Sequence, residues 1–524
     1  MTTGGRFVGV GEWLARREQL SPDHIGLIDV ATGERLTYRT LNTRACALAA
    51  WLSERHGVRM GDRVAILAAN SPEYLDAFFA CALLGAILTP LNWRLTRPEL
   101  IGILRDCEPV ALIADDAYIS VATDVATEAG TPRLLRIDNF PGADAVLAAR
   151  AEPFETQDGE EIALILYTSG TTGTPKGAML SHRMLTWNAI NTQISWGLRE
   201  EDIAPTFAPF FHAGGLNVLT TPMYHLGGTV VLLRDTRPEA ILAAVERERC
   251  TLLFAVPTVF QMMMESSTFM STNLSSVRFC ISGGAPCPLP IIEGYSTRGL
   301  EFRQGYGLTE VGVNCFGLAP EDATRKGGSV GRPVFHSRAR IVDDHDDDVA
   351  LGAVGELALA GPHVCSGYWR RPTATAEAYR NGWWHTGDLV RQDEEGYYFI
   401  VGRKKDMYIS GGENVYPAEI EGVLATHEGI ADVAVLGQPD PRWGEVGLAI
   451  VAPRLPDALT EQDILSYCDG RLARFKIPKS VIFVDALPRN AMGKVVKAEL
   501  YERYVSTAHD AQMSAATGEA DKAR

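Results

Sequence analysis

The sequence predicts an α/β protein, with a large N-terminal domain of parallel-rich sheets covered by helices and a small α+β domain at the C-terminal end. Three observations carry this. Short apolar runs alternate with helical patterns over the first three quarters of the chain, as buried parallel strands and their crossover helices require. At 524 residues the chain is too long for a single hydrophobic core. After about Arg403 the pattern turns into a compact mixture of strands and helices that ends near Tyr504. The expected division is residues 1–402, residues 403–505, and a small polar tail over 506–524 with too little apolar surface to order itself.

The elements follow in chain order. Arg63–Leu67 reads as a strand, and Pro72–Leu84 as a helix with proline in its first turn. The longest apolar stretch, Ala77–Leu88, is too short to span a bilayer and reads as a buried helix. Ile162–Leu166 is a buried strand. Thr229–Leu233 is another, followed by a helix over Pro238–Arg249. Leu252–Val256 and Val277–Ile281 are strands on either side of a helical stretch. No repeat of solenoid period is present. Asp343–Asp348 has the acidity of a calcium loop but lacks the glycine and closing glutamate of an EF-hand, so it reads as a solvated turn.

Composition excludes several classes. Hydrophobic content of 46% and charged content of 22% are those of a globular protein without a membrane-spanning segment. The 49 basic and 65 acidic residues give a net charge of -16, which argues against nucleic acid or an anionic membrane as partner. Nine cysteines without a CxxC pair are read as reduced thiols, and the N-terminal Met-Thr-Thr-Gly-Gly-Arg lacks the apolar core of a signal peptide, so a cytoplasmic location is expected.

The most informative segment is Tyr167-Thr168-Ser169-Gly170-Thr171-Thr172-Gly173-Thr174-Pro175-Lys176-Gly177, at the end of the Ile162–Leu166 strand. Small hydroxyl residues and glycines bring backbone N–H groups close to a polyphosphate, and a lysine adds charge. It is not a Walker A loop. Aligned on Gly170 and Lys176, Pro175 stands before the lysine where that motif has glycine, and Gly177 follows it where that motif has Ser or Thr. The alternative is an ordinary Gly/Ser turn.

Six further segments accompany it. These are Phe210-Phe211-His212-Ala213-Gly214-Gly215, Ser282-Gly283-Gly284-Ala285-Pro286 and Gln304-Gly305-Tyr306-Gly307-Leu308-Thr309-Glu310. Thr386-Gly387-Asp388 follows, then Gly402-Arg403-Lys404-Lys405-Asp406 running into Ser410-Gly411-Gly412-Glu413-Asn414-Val415-Tyr416-Pro417, and finally Pro488-Arg489-Asn490-Ala491-Met492-Gly493-Lys494. In composition and order the set resembles the motifs of the adenylate-forming superfamily, which includes acyl-CoA synthetases, peptide-synthetase adenylation domains and luciferases. The resemblance covers roughly residues 10–500.

The resemblance implies two half-reactions. A carboxylate is a poor acyl donor; attack on the α-phosphorus of ATP makes an acyl-adenylate and pyrophosphate, and a thiolate then displaces AMP. Negative charge gathers at phosphorus in the first step, so cationic groups, a metal ion and backbone donors are needed in place beforehand. By resemblance, Thr168, Ser169, Gly170, Thr171, Thr172, Gly173 and Lys176 hold the β- and γ-phosphates, Glu310 binds Mg2+ and Thr309 contacts the α-phosphate. Tyr306 and Gly307 face adenine, Gly307 also bordering the acid, with Gly284 and Ala285 as a backbone wall between the adenine and acyl pockets. Asp388 and Arg403 suit the ribose hydroxyls. Lys494 corresponds to the lysine that bridges the substrate carboxylate and ribose–phosphate oxygens during adenylation. The small domain is then expected to be mobile, turning at Lys405 and presenting Gly411 and Gly412 to the pantetheine of coenzyme A.

His212, a candidate catalytic and substrate-binding residue by resemblance, bears on the acid. Amino-acid-activating relatives place an aspartate in the corresponding region, and here Phe211, His212 and two glycines stand without a carboxylate. A carboxylic acid without an amino group is expected, together with ATP, Mg2+ and CoA. A medium- or long-chain fatty acid is the leading expectation and an aryl or hydroxycinnamic acid the alternative. A free-standing amino-acid adenylating enzyme and a non-catalytic nucleotide-binding regulator fit less well. No nucleic acid partner or integral membrane segment is expected, and a homodimer is compatible with the sequence.

Overall fold

A computed structural model of the chain describes residues 7–141, 154, 156, 158–168, 175–456, 458–489 and 495–506. It divides into two compact units, one of residues 1–340, 358–386 and 394–399, the other of residues 341–357, 387–393 and 400–524. The tail beyond residue 506 lies outside the described residues.

In the first unit, a six-stranded sheet has the order Leu134–Arg136, Ala111–Ala114, Arg63–Leu67, Ile87–Pro90, Ile162–Thr168 and Lys176–Ser181. All neighbours run parallel except the last pair, which is antiparallel. A four-stranded sheet combines Arg35–Thr37, Ile25–Asp29, Thr229–Leu232 and Ile203–Thr206. In a third, Leu252–Ala255, Phe279–Ser282 and Glu301–Leu308 are parallel neighbours, and Glu301–Leu308 turns back antiparallel into Gly312–Gly317. Parallel strands buried on both faces read as unbroken apolar runs, which is why the sequence located them.

Helix Pro72–Leu84 has the expected limits. Ser71 caps its N-terminus by accepting from the Tyr74 N–H, Pro72 occupies the first turn, and Gly85 ends it in the left-handed conformation at φ 64°. The apolar stretch to Leu88 is therefore not one helix, as expected, but a helix followed by strand Ile87–Pro90. Apolar periodicity alone does not separate a buried helix from a buried strand, and the glycine between them does. Among the described residues no helix is long and apolar enough to cross a membrane.

The second unit is built on an antiparallel ribbon, Ile430–Asp440 with Gly444–Pro453, extended by Tyr408–Ser410, Glu413–Val415 and the parallel Ser480–Phe483. Its two faces are both covered. Val435, Ala449 and Val451 pack with Ile420, Leu424 and Ile464, whereas Ala434, Leu436, Leu448 and Ile450 pack with Leu487, Leu500 and Val505. This is the period-two alternation of a strand. The acidic turn at Asp343 closes on itself, with the carboxylate accepting from the backbone N–H groups of His345 and Asp347 at 2.8 and 3.0 Å.

His182, the first residue of helix His182–Trp196, is buried and accepts from the Val10 N–H at Nδ1, 3.0 Å away. That bond needs the neutral ring, and burial pushes the pKa down to about 4. With the folded pKa depressed below the unfolded 6.5, this stability is complete above pH 6.5 and is lost as pH falls toward 4. We expect acidification from pH 7.5 to 4.5 to withdraw about 2–3 kcal/mol through this residue. Urea midpoints at both pH values should fall less in His182→Asn, which keeps an acceptor without a basic nitrogen; an equal fall would overturn the assignment.

Candidate active site

The expected phosphate loop is a hairpin connection. Strand Ile162–Thr168 pairs antiparallel with Lys176–Ser181, and Thr168 stands directly opposite Lys176. Ser169, Gly170, Thr171, Thr172 and Gly173 lie outside the described residues, but both anchors of the loop are in place. The chain thus returns along the sheet edge before it enters a helix, unlike a loop that feeds a helix N-terminus.

A second hairpin meets the first. Glu301–Leu308 and Gly312–Gly317 pair with Leu308 opposite Gly312, and Thr309 and Glu310 occupy the connection. Gly307 allows this close approach, because a Cβ there would lie 2.3 Å from the Gly312 carbonyl oxygen. The half-buried Glu310 reaches the first hairpin, where its Oε1 is 3.3 Å from the Thr168 hydroxyl. The Tyr368 hydroxyl donates to the same Oε1 at 3.1 Å. Lys176 Nζ lies 5.3 Å from the centroid of the Tyr368 ring. Thr168, Lys176, Glu310 and Tyr368 therefore form one constellation, of which the sequence reading missed Tyr368. Its only signal was the aromatic and basic run Gly367-Tyr368-Trp369-Arg370-Arg371.

The acid-facing candidates gather at the C-terminal ends of three neighbouring parallel strands, where open α/β sheets bind ligands. Leu252–Ala255 contributes Phe254, Phe279–Ser282 leads into Gly283, Gly284 and Ala285, and Glu301–Leu308 carries Tyr306 and Gly307. The phenyl of Phe254 is half-buried and flanked by two glycines. A Cβ on Gly214 would touch its ring at 3.9 Å and one on Gly283 at 3.7 Å, so the missing side chains leave that edge of the ring without a neighbour from either residue. A cavity of about 10 Å³ beside it is lined by Phe207, Gly215, Leu219 and Phe254, among others. His212 caps the short helix Ala213–Gly215, edge-on to Phe211 at 4.4 Å. Phe211 meets Trp93 edge-on at 5.8 Å, and Trp93 stacks on Tyr118 at 5.6 Å. Phe254 was also missed, since a phenylalanine within a strand reads as core. The ring of Tyr306 packs edge-on against Phe316 at 5.6 Å.

The remaining candidates belong to the second unit. Asp388 is buried, and Arg403 Nε lies 2.5 Å from its Oδ1. The exposed Lys405 sits in the turn that follows Tyr398–Arg403, closed by the Asp406 and Met407 N–H groups on the Arg403 carbonyl. Gly411 and Gly412, at φ 62° and 88°, make the two-residue connection between Tyr408–Ser410 and Glu413–Val415, a hairpin turn that demands positive φ at both positions. Lys494 lies outside the described residues, between Arg489 and Val495, which pair in an isolated antiparallel bridge.

The model of the AMP-binding enzyme family matches residues 14–369, and that of the AMP-binding enzyme C-terminal domain matches residues 419–494. The chain is similar to a feruloyl-CoA synthase of Amycolatopsis sp, 43% identical over 500 residues that cover 95% of this chain and 100% of the relative. It is also similar to the long-chain-fatty-acid–CoA ligase FadD13 of Mycobacterium tuberculosis, 36% identical over 95% of this chain and 99% of that one. Among solved structures, the o-succinylbenzoate coenzyme A synthetase of Bacillus subtilis in complex with ATP and magnesium ion superposes with a TM-score of 0.83 at 32% identity, covering 93% of this chain and 99% of that one. The family models together span most of the sequence, and the chain belongs to the adenylate-forming superfamily of AMP-binding enzymes, in its AMP-forming acid–thiol (acyl-CoA) ligase branch.

Proposed function

We propose that this chain is an ATP-dependent ligase that activates an aryl carboxylic acid of the hydroxycinnamic type as its acyl-adenylate and transfers the acyl group to the thiol of coenzyme A. The observation that carries the acid assignment is Phe254 between Gly214 and Gly283: a half-buried phenyl whose edge meets bare backbone on two sides suits a flat, conjugated ring. The aromatic series Tyr118, Trp93, Phe211 and His212 adds to this character. The feruloyl-CoA synthase at 43% identity supports the same reading. The fatty acid favoured by the sequence keeps the support of FadD13, at 36%.

In the first half-reaction the acid's carboxylate oxygen attacks the α-phosphorus, and the bond to the β-phosphate's bridging oxygen breaks. Lys176 and Thr168, with the hydroxyls and backbone of Ser169, Gly170, Thr171, Thr172 and Gly173, hold the departing pyrophosphate. Thr309 donates to the α-phosphate. Glu310 suits Mg2+: a carboxylate is a hard oxygen donor, and with Oε1 held by hydroxyls its Oε2 is left for a cation. Among the described residues no group of three or more His, Cys, Asp or Glu could hold a metal, so the ion would share this carboxylate with phosphate oxygens and water, as Mg2+ does in nucleotide sites. Bound there, Mg2+ supplies charge neutralisation to the leaving pyrophosphate.

Tyr306, Gly284 and Ala285 line the adenine side, and Asp388 with Arg403 receives the ribose. Lys494 bridges the acid and the phosphate in this step only. In the second half-reaction the CoA thiolate attacks the acyl carbon and AMP leaves, with rotation about Lys405 bringing the Gly411–Gly412 turn to the pantetheine. The nine cysteines are all unpaired and buried, which fits a reducing compartment and supports a cytoplasmic location.

The test is acyl-CoA formation from a panel of acids, with pyrophosphate release followed with and without CoA. Ferulic or 4-hydroxycinnamic acid should exceed dodecanoic acid in kcat/KM by about tenfold or more. The reverse order would overturn the acid assignment and leave the ligase reaction standing; pyrophosphate release without any CoA thioester would overturn the ligase itself.

Phe254→Ala should cost the cinnamic acids about tenfold to a hundredfold in kcat/KM, with a smaller loss for dodecanoate. Equal losses for both acids would remove Phe254 from the acid site.

Lys494→Ala should lower adenylation by about 10²–10³ and spare thioester formation from supplied acyl-adenylate, because charge builds at phosphorus in the first step alone. Equal losses in both half-reactions, measured separately, would contradict the role.

A further inference from the structure

We propose that Tyr368 is a positioning residue for adenylation: its hydroxyl aims Glu310 at the cation, and its ring holds the ammonium of Lys176. This rests on the reading of Glu310 as the Mg2+ ligand. Two hydroxyls approach Glu310 Oε1, but they are not equivalent. The Thr168 proton is shared, because its Oγ1 lies 3.3 Å from Glu310 Oε1 and 3.4 Å from the Lys176 carbonyl oxygen. Tyr368 makes the shorter contact at 3.1 Å, and its hydroxyl donates where a carboxylate can only accept. A bond to one oxygen of a carboxylate sets the plane of the group, and so the direction in which Oε2 presents its lone pairs. The same ring lies 5.3 Å from Lys176 Nζ, within the range of cation–π attraction, so one side chain orients both charged groups that bracket the phosphate loop.

The backbone of Tyr368 is fixed from both sides, as a positioning role requires. Residues 366–369 run along strand Lys176–Ser181, with Ser366 N–H on the Met179 carbonyl at 3.0 Å, Met179 N–H on the Gly367 carbonyl at 2.9 Å and Trp369 N–H on the Gly177 carbonyl at 2.7 Å. Opposite, Arg371 pairs with Asp106 at 2.7 Å and the Trp369 indole donates to the Asp106 carbonyl at 3.2 Å. Asp106 also accepts from the hydroxyl of Tyr167, 2.6 Å away, which ties this segment to the strand that leads into the loop. The Tyr368 N–H donates to Thr375 Oγ1 at 2.9 Å, and its ring stands edge-on to the buried Trp384 at 5.4 Å.

The two functions of the side chain separate by substitution. Tyr368→Phe removes the hydroxyl and keeps the ring; Tyr368→Leu removes both. Mn2+ bound by the enzyme in the presence of the non-cleavable α,β-methylene ATP would be measured by electron paramagnetic resonance, and metal-free pyrophosphate binding by calorimetry. We expect Tyr368→Phe to weaken Mn2+ about tenfold with pyrophosphate affinity unchanged, in line with loss of a hydrogen bond to a charged group. Tyr368→Leu should weaken Mn2+ equally and lower pyrophosphate affinity about threefold or more. In a Glu310→Gln background Tyr368→Phe should add nothing to the loss of Mn2+. A residue that merely packs would leave Mn2+ affinity untouched in Tyr368→Phe, and that result overturns the proposal if Glu310→Gln alone does weaken Mn2+. Should Glu310→Gln also leave Mn2+ unchanged, the metal reading of Glu310 fails and the proposal with it. Equal pyrophosphate affinity in the Phe and Leu variants would overturn the lysine half.

Discussion

The candidate site depends on one register, the antiparallel pairing of Ile162–Thr168 with Lys176–Ser181. Side chains alternate along a strand, so a slip of one residue would exchange the two faces of everything that follows. Tyr167 holds the register from one face, through its hydroxyl on Asp106 at the end of helix Arg97–Cys107. Thr168 must then point the other way, toward Glu310. Gly177, opposite Tyr167, leaves room on the first face: a Cβ there would meet Ile165 at 2.7 Å and Tyr167 at 3.2 Å. A short ladder thus decides which hydroxyl and which lysine flank the expected phosphate loop, before any ligand contributes.

An acidic chain that handles anionic substrates needs its favourable electrostatics to be local. The net charge of -16 is screened within about 8 Å at physiological ionic strength, so distant carboxylates repel ATP and CoA little and distant lysines attract them little. What acts is arrangement. Lys176 is set over an aromatic face, and Glu310 has one oxygen occupied by hydroxyl donors. Asp388 is buried with Arg403 at 2.5 Å, a pairing that offsets the cost of removing a carboxylate from water. Each charge is held by a neighbour that limits its directions, which is the preorganisation a phosphoryl transition state requires.

Much of this was legible in the sequence, for identifiable reasons. Strands Arg63–Leu67 and Thr229–Leu232 and helix Pro72–Leu84 were readable because an apolar run with a proline or glycine at its boundary has few other folds. The stretch beyond Leu84 misled because apolar residues on both sides of Gly85 carry no period, and the break lies in that single glycine. The parallel sheets were anticipated; the antiparallel return of Lys176–Ser181 was not, since nothing in Thr174–Gly177 distinguishes a hairpin from a strand–helix connection. Glu310 and Thr168 stood out as motif residues. Tyr368 and Phe254 did not, because the neighbours that give them their proposed roles are distant in the chain, Glu310 lying 58 positions from Tyr368 and Gly214 about 40 from Phe254.

That difference also explains why the motifs speak clearly about activation and poorly about the acid. In the proposed function, phosphate handling is written into backbone: a register, a sequence of small residues, and glycines such as Gly307 whose replacement would collide with the facing strand. Those demands recur in a chain that activates any acid, so the residue types recur with them. In the proposed function, acid choice rests instead on Phe254 and Gly283 at the ends of two parallel strands and on Gly214 in the short helix Ala213–Gly215, which the phosphate geometry does not constrain. A Cβ at Gly214 would touch the Phe254 ring without touching any residue of the Thr168–Lys176–Glu310 constellation. Such positions are free to vary among enzymes that share the chemistry, and a single sequence therefore reveals the reaction before it reveals the substrate.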